Sequence, residues 1–134
     1  MSLDRLSVYH GDIFKRKRTG GKSHPNRGKR KYEMGRPPTL TRLGENNVVE
    51  KTRVRGGRLK LRVIQAAYAN VAVEKDRVVK ARILDVVDNP ASREFGRMKI
   101  ITKGALVKTE VGNAVVTSKP GSNGVVNAKL VSAR

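Results

Sequence analysis

The stretch KRKRTGGKSHPNRGKRKYEMGR, residues 15–36, carries ten Lys/Arg and a single acid, Glu33. Ammonium and guanidinium groups at this density suit one kind of chemistry, the neutralisation of a closely spaced line of anions. Nucleic-acid phosphate is the commonest such line. The candidate contacts are Lys15, Arg16, Lys17, Arg18, Lys22, Arg27, Lys29, Arg30, Lys31 and Arg36. Only Tyr32 and Met34 are sizeable apolar groups, so the stretch holds no core of its own. Gly20, Gly21, Gly28 and Gly35 break any helical pattern, and Pro25, Pro37 and Pro38 punctuate it further. The expected state is an extended arm that orders against an anionic partner. Its glycines would let backbone N–H groups approach phosphates closely.

A second basic cluster follows in KTRVRGGRLKLRV, residues 51–63. Read as a hairpin with a two-residue Gly56-Gly57 loop, it sets Arg55 opposite Arg58, Arg53 opposite Lys60 and Lys51 opposite Arg62. The other face pairs Val54 with Leu59 and Thr52 with Leu61. Like charges directly opposite one another are destabilising. Six in register therefore predict a ribbon face that meets phosphate.

Other chemistries find no support. Gly21-Lys22-Ser23 resembles the end of a phosphate-binding loop, but the full motif needs a glycine where Arg16 stands and a strand before it. His10 and His24 are the only histidines, and the chain has no cysteine. Disulfides and thiolate metal sites are thereby excluded, and no metal or cofactor is expected. Asp85 and Asp88 suit turn and capping roles better than acid–base catalysis. No nucleophile–base grouping is present, so the chain does not read as an enzyme or as a binder of small-molecule substrates. Three Tyr, two Phe and no Trp form no aromatic strand pattern, which favours recognition of phosphates and folded shape over stacking of single-stranded bases.

These residues need a scaffold. The chain has 134 residues and net charge +19; residues 1–62 hold eighteen cations and five acids, residues 63–134 twelve and six. The division implied is a basic arm, residues 1–44, on a body, residues 45–134. Short β-branched runs separated by Gly-containing turns predict strands at 48–55, 58–66, 70–74, 78–87, 98–102, 105–111, 114–118 and 125–131. An all-β fold is expected: an antiparallel β-barrel body with a long basic extended N-terminal arm and at most one short helix. That helix would start at Asn89 as N-cap with Pro90 in its first turn. No signal-peptide run opens the chain, and residues 63–73 fall well short of a bilayer span, which predicts an intracellular protein without a membrane partner.

The run KRKRTGGKSHPNRGKRKYEMGRPPTLTRLG, then RVRGGRLKLR, RILDVVDNPA and KPGSNGVVNAKLV, resembles small-subunit ribosomal protein eight of the archaeal–eukaryotic type. The similarity covers nearly the whole chain from about Ser7. Eukaryotic members carry a long insertion in the C-terminal half that this chain lacks, so it is similar to archaeal members. The resemblance implies a β-barrel, an arm threaded into ribosomal RNA, neighbouring ribosomal proteins as partners, and a cytoplasmic place in the small ribosomal subunit. It implies no catalysis. It also implies that the ten arm cations contact RNA; Lys51, Arg53, Arg55, Arg58, Lys60 and Arg62 rest on the hairpin register alone. On charge by itself, a chromatin-type DNA-compacting protein fits as the alternative.

Overall fold

The computed structural model describes residues 8–11 and 15–131. It divides into two compact units, one up to Pro38 and one from Thr39 onward.

After β1 (Val8–Tyr9) and β2 (Met34–Gly35) of the first unit, the second opens with β3 (Arg42–Leu43), β4 (Val48–Arg53) and β5 (Leu59–Ala66). These make a three-stranded sheet in the order β3-β5-β4, with β3 parallel to β5 and β4 antiparallel to it. A closed barrel follows from β6 (Tyr68–Ala72), β7 (Val78–Asp88), β8 (Leu106–Thr109), β9 (Gly112–Val116) and β10 (Asn127–Leu130). Its neighbours are antiparallel except β10 and β6, which run parallel with Ala128 beside Val71. The barrel is thus not purely antiparallel. A ring with an odd number of strands cannot alternate direction at every step, so a five-stranded closure requires at least one parallel pair.

Side chains alternate across each strand as a barrel demands. Ala69, Val71, Ala81, Ile83, Val86, Val107, Ala114, Val116 and Ala128 point inward and are buried. Alanine at about half of these positions suits the narrow interior of a small barrel. The eleven-residue β7 carries register shifts between Ile83 and Asp85 and between Val86 and Asp88. Such bulges bend a strand and increase its twist, which helps a short ring to close.

The expected strand at 98–102 is absent. Ile100 and Ile101 are consecutive and both buried, at 0% and 2% exposure, unlike a strand with one face in solvent, which buries alternate residues. Lys99 has φ of 55°, a left-handed conformation that interrupts a strand. The segment instead plugs the core: the Ile101 N–H donates to the Thr41 carbonyl at 2.8 Å and the Leu43 N–H to the Lys99 carbonyl at 3.1 Å.

Among the described residues two short α-helices occur where at most one was expected. α1 (Arg93–Arg97) is capped by Ser92, whose hydroxyl accepts from the Glu94 N–H at 3.3 Å. Asn89 is therefore not its N-cap. The Asn89 side chain is buried and donates through Nδ2 to the Ile100 carbonyl at 2.9 Å, while its Oδ1 accepts from the Thr102 hydroxyl at 2.9 Å and the Ala91 N–H at 3.1 Å. Residues 89–91 are thereby pinned to the plug. α2 (Pro120–Asn123) has proline in its first turn and ends at Gly124 with φ of 75°, the usual asymmetry of helix termini. A Cβ on Gly124 would come within 2.6 Å of the Leu61 Cβ, so glycine here also permits close packing against β5.

The first unit contains β1 (Val8–Tyr9) and β2 (Met34–Gly35), paired antiparallel, and a 3-10 turn at Lys31–Glu33. The chain between them returns on itself. An isolated bridge between Arg16 and Lys22 closes a smaller turn around Gly20, whose φ is 85°.

Candidate nucleic-acid interface

All ten candidate cations of residues 15–36 are exposed. Their side chains differ in what they already touch. Arg16 donates through Nη1 to the Gly20 carbonyl at 2.9 Å and closes its own turn. Arg27 grips the Glu33 carboxylate through both terminal nitrogens, Nη1 to Oε2 at 3.1 Å and Nη2 to Oε1. Lys29 places its ammonium 5.6 Å from the centroid of the Tyr9 ring. Among the described residues, the side chains of Lys17, Arg18, Lys22 and Lys31 make no hydrogen bond, ion pair or ring contact. These four project into solvent as unengaged cations.

Sequence reasoning missed the group that organises this unit. Glu33 read as the one acid in a basic run; its side chain is only 13% exposed. Its carboxylate also accepts the Arg30 N–H at 3.1 Å, and its carbonyl accepts the His10 N–H at 3.0 Å. The Arg27 guanidinium, with help from the Arg30 N–H, holds the Glu33 carboxyl below the usual carboxylate range. Gly11 and Gly35 admit close contact: a Cβ at the first would collide with the Tyr9 ring, and at the second with the His10 ring. The only signal in the sequence was the coincidence of a lone acid with two glycines and two aromatic or histidine side chains far apart in the chain.

The hairpin is present with a different register. Arg53 stands opposite Leu59, Thr52 opposite Lys60, Lys51 opposite Leu61 and Glu50 opposite Arg62. The cause is the loop. Arg55-Gly56-Gly57 forms a three-residue turn, with Gly56 and Gly57 at φ of 76° and 75°, and the Val54 N–H donates to the Arg58 carbonyl at 2.8 Å. One extra loop residue moves every partner by one position and exchanges the faces of one strand relative to the other. Hence no two of these cations lie directly opposite each other in the ladder, and the six do not share one face. Lys51, Arg53, Arg55 and Arg58 are exposed, whereas Lys60 and Arg62 are half-buried. Arg62 donates through Nη1 to the Thr39 hydroxyl at 3.3 Å.

Asp85 and Asp88 serve the backbone rather than catalysis. Asp85 accepts the Val86 N–H at 2.8 Å and the Lys99 ammonium at 2.6 Å, and Asp88 accepts the Asn89 N–H at 2.7 Å. Lys99 is the first cause of a lowered Asp85 pKa. No cluster of His, Asp and Glu among the described residues could hold a metal ion, and none of their helices is long and apolar enough to cross a membrane.

The model of the ribosomal protein S8e family matches residues 12–131. The chain belongs to the ribosomal protein S8e family. This is a family of structural, non-enzymatic proteins. Relatives called small ribosomal subunit protein eS8 are 51% identical in Hyperthermus butylicus over 96% of both chains, and 47% identical in Sulfolobus acidocaldarius over 94% of this chain and 98% of the relative. The Ignicoccus hospitalis relative is 51% identical over 94% of this chain and 98% of its own length. The archaeal affinity expected from the missing insertion is therefore matched by archaeal relatives. For this S8e protein the geometry supplies what the family name does not: a basic unit with unengaged cations, and a basic hairpin whose exposed charges cluster at its turn.

Proposed function

We propose that this protein is a structural constituent of the cytoplasmic small ribosomal subunit, where it binds ribosomal RNA and lies against neighbouring ribosomal proteins. Residues 15–36 act as the RNA-binding arm and neutralise phosphates crowded at an RNA junction. Lys51, Arg53, Arg55 and Arg58 at the hairpin turn supply a second phosphate contact, with Lys60 and Arg62 at its flank. The observation that carries the reading is the set of exposed cations Lys17, Arg18, Lys22 and Lys31, which have no partner among the described residues. Four such groups within fifteen residues are costly in a free surface and favourable beside phosphate. The shared small-subunit name of the archaeal relatives supports ribosomal over chromosomal nucleic acid.

The test is a backbone protection map of a small-subunit rRNA transcript with and without the protein. Discrete protected segments, lost on Lys17→Ala, Arg18→Ala, Lys22→Ala and Lys31→Ala in combination, are expected. Equal protection of unrelated duplex DNA would instead identify a general compacting protein.

A further inference from the structure

On charge alone, Glu33 is a defect in a phosphate-binding arm, and its removal should tighten RNA binding. Its surroundings argue the reverse. The carboxylate is the convergence point of Arg27 and of the Arg30 N–H, and Glu33's own backbone ties the 3-10 turn to β1 through His10. The Glu33 N–H donates to the Arg30 carbonyl at 3.0 Å and completes the turn. Tyr9 pairs with Met34 across the β1–β2 ladder, and its ring faces the Lys29 ammonium, while the Arg27 guanidinium lies 5.8 Å from the Tyr32 centroid. An acid that is mostly shielded and bidentate to Arg27 is a fastening, and Arg27 is its other half rather than a phosphate ligand.

We propose that Glu33 is a positioning residue: with Arg27, Tyr9 and His10 it folds residues 27–35 into a preformed turn that presents Arg30 and Lys31 to RNA. The inference rests on the reading that the arm binds rRNA. Ordering a chain on binding subtracts from affinity, and a turn already closed in the free protein avoids that loss. The acid thus strengthens an anion-binding segment by shaping it.

The experiment uses the full chain and a small-subunit rRNA transcript. Glu33→Gln removes one negative charge with little change of shape. Arg27→Gln combined with Glu33→Gln leaves the net charge at that of the parent. If charge alone governs, the single variant binds more tightly and the double variant binds equally. The proposal expects both to bind about fivefold to tenfold more weakly, the scale of a few side chains and one turn left to be ordered on binding. It also expects protection of the His10 and Glu33 amides from hydrogen exchange in the free parent, and loss of that protection in Glu33→Gln. Tighter binding by Glu33→Gln, or unprotected parent amides, would overturn the role of Glu33 and leave the arm's function standing. Unchanged affinity on combined replacement of Lys17, Lys22 and Lys31 by Ala would overturn the arm's function itself.

Discussion

Removing residues 1–38 separates the contribution of the arm from that of the body. The cut belongs after Pro38 rather than after Gly44, because Thr41 is 1% exposed and its hydroxyl donates to the Val63 carbonyl at 2.6 Å. The segment removed holds eleven Lys/Arg and three Asp/Glu, and so +8 of the chain's +19. Not every cation in it is available. Arg16 and Arg27 are bonded within the segment, and Lys17, Arg18, Lys22 and Lys31 are the cations proposed to meet phosphate. Each phosphate contact contributes roughly 0.7–0.9 to the slope of log affinity against log salt. Loss of four should therefore reduce its magnitude by about 3–4. The assay is a salt titration of full-length and truncated protein against the same small-subunit rRNA transcript, with circular dichroism to follow the fold. The truncated protein should keep its β-spectrum and a cooperative melt. A folded truncation with the slope of the parent would refute the reasoning and move recognition onto the body. An unfolded one would mean that the barrel depends on the arm.

Other outcomes follow from single residues. Asn89→Ala should destabilise the protein by about 1–3 kcal/mol in urea unfolding, since a buried carbonyl and N–H lose their partners. Ile101→Ala should cost about 2–5 kcal/mol in the same measurement, as a large side chain leaves the core plug at 2% exposure. In the hairpin, Glu50→Lys sets like charges opposite at Arg62 and should cost about 0.2–1 kcal/mol, whereas Arg53→Glu, opposite Leu59, gains no cross-strand ion pair; the reverse order would refute the observed register. Asp85 has its pKa lowered in the folded state, so its contribution is present above the ordinary carboxylate value and lost as pH falls through the lower folded one. A small acid-side loss of melting temperature, absent in Asp85→Asn, should reveal it.

Much of this protein is local and so legible from residue order. A run of ten cations and one acid cannot build a core wherever it is placed, and short Val-rich segments between glycines commit the rest to strands. Those statements depend on composition and period, which neighbours in the chain determine. The hairpin register depends on whether Arg55 belongs to the strand or to the turn, one residue that local pattern leaves open and that the fold places in the turn. Asn89 has the chemistry of an N-cap, but the Ile100 carbonyl and the Thr102 hydroxyl, brought to it by the fold, take its side chain instead. The parallel β6–β10 contact joins residues far apart in the chain, and only ring closure with an odd number of strands requires it. Glu33 shows the same division within the basic segment. Its charge was plain from the sequence, but its role arises because the chain returns on itself and brings His10 and Arg27 to the same carboxyl-bearing residue, an arrangement created by folding rather than by adjacency.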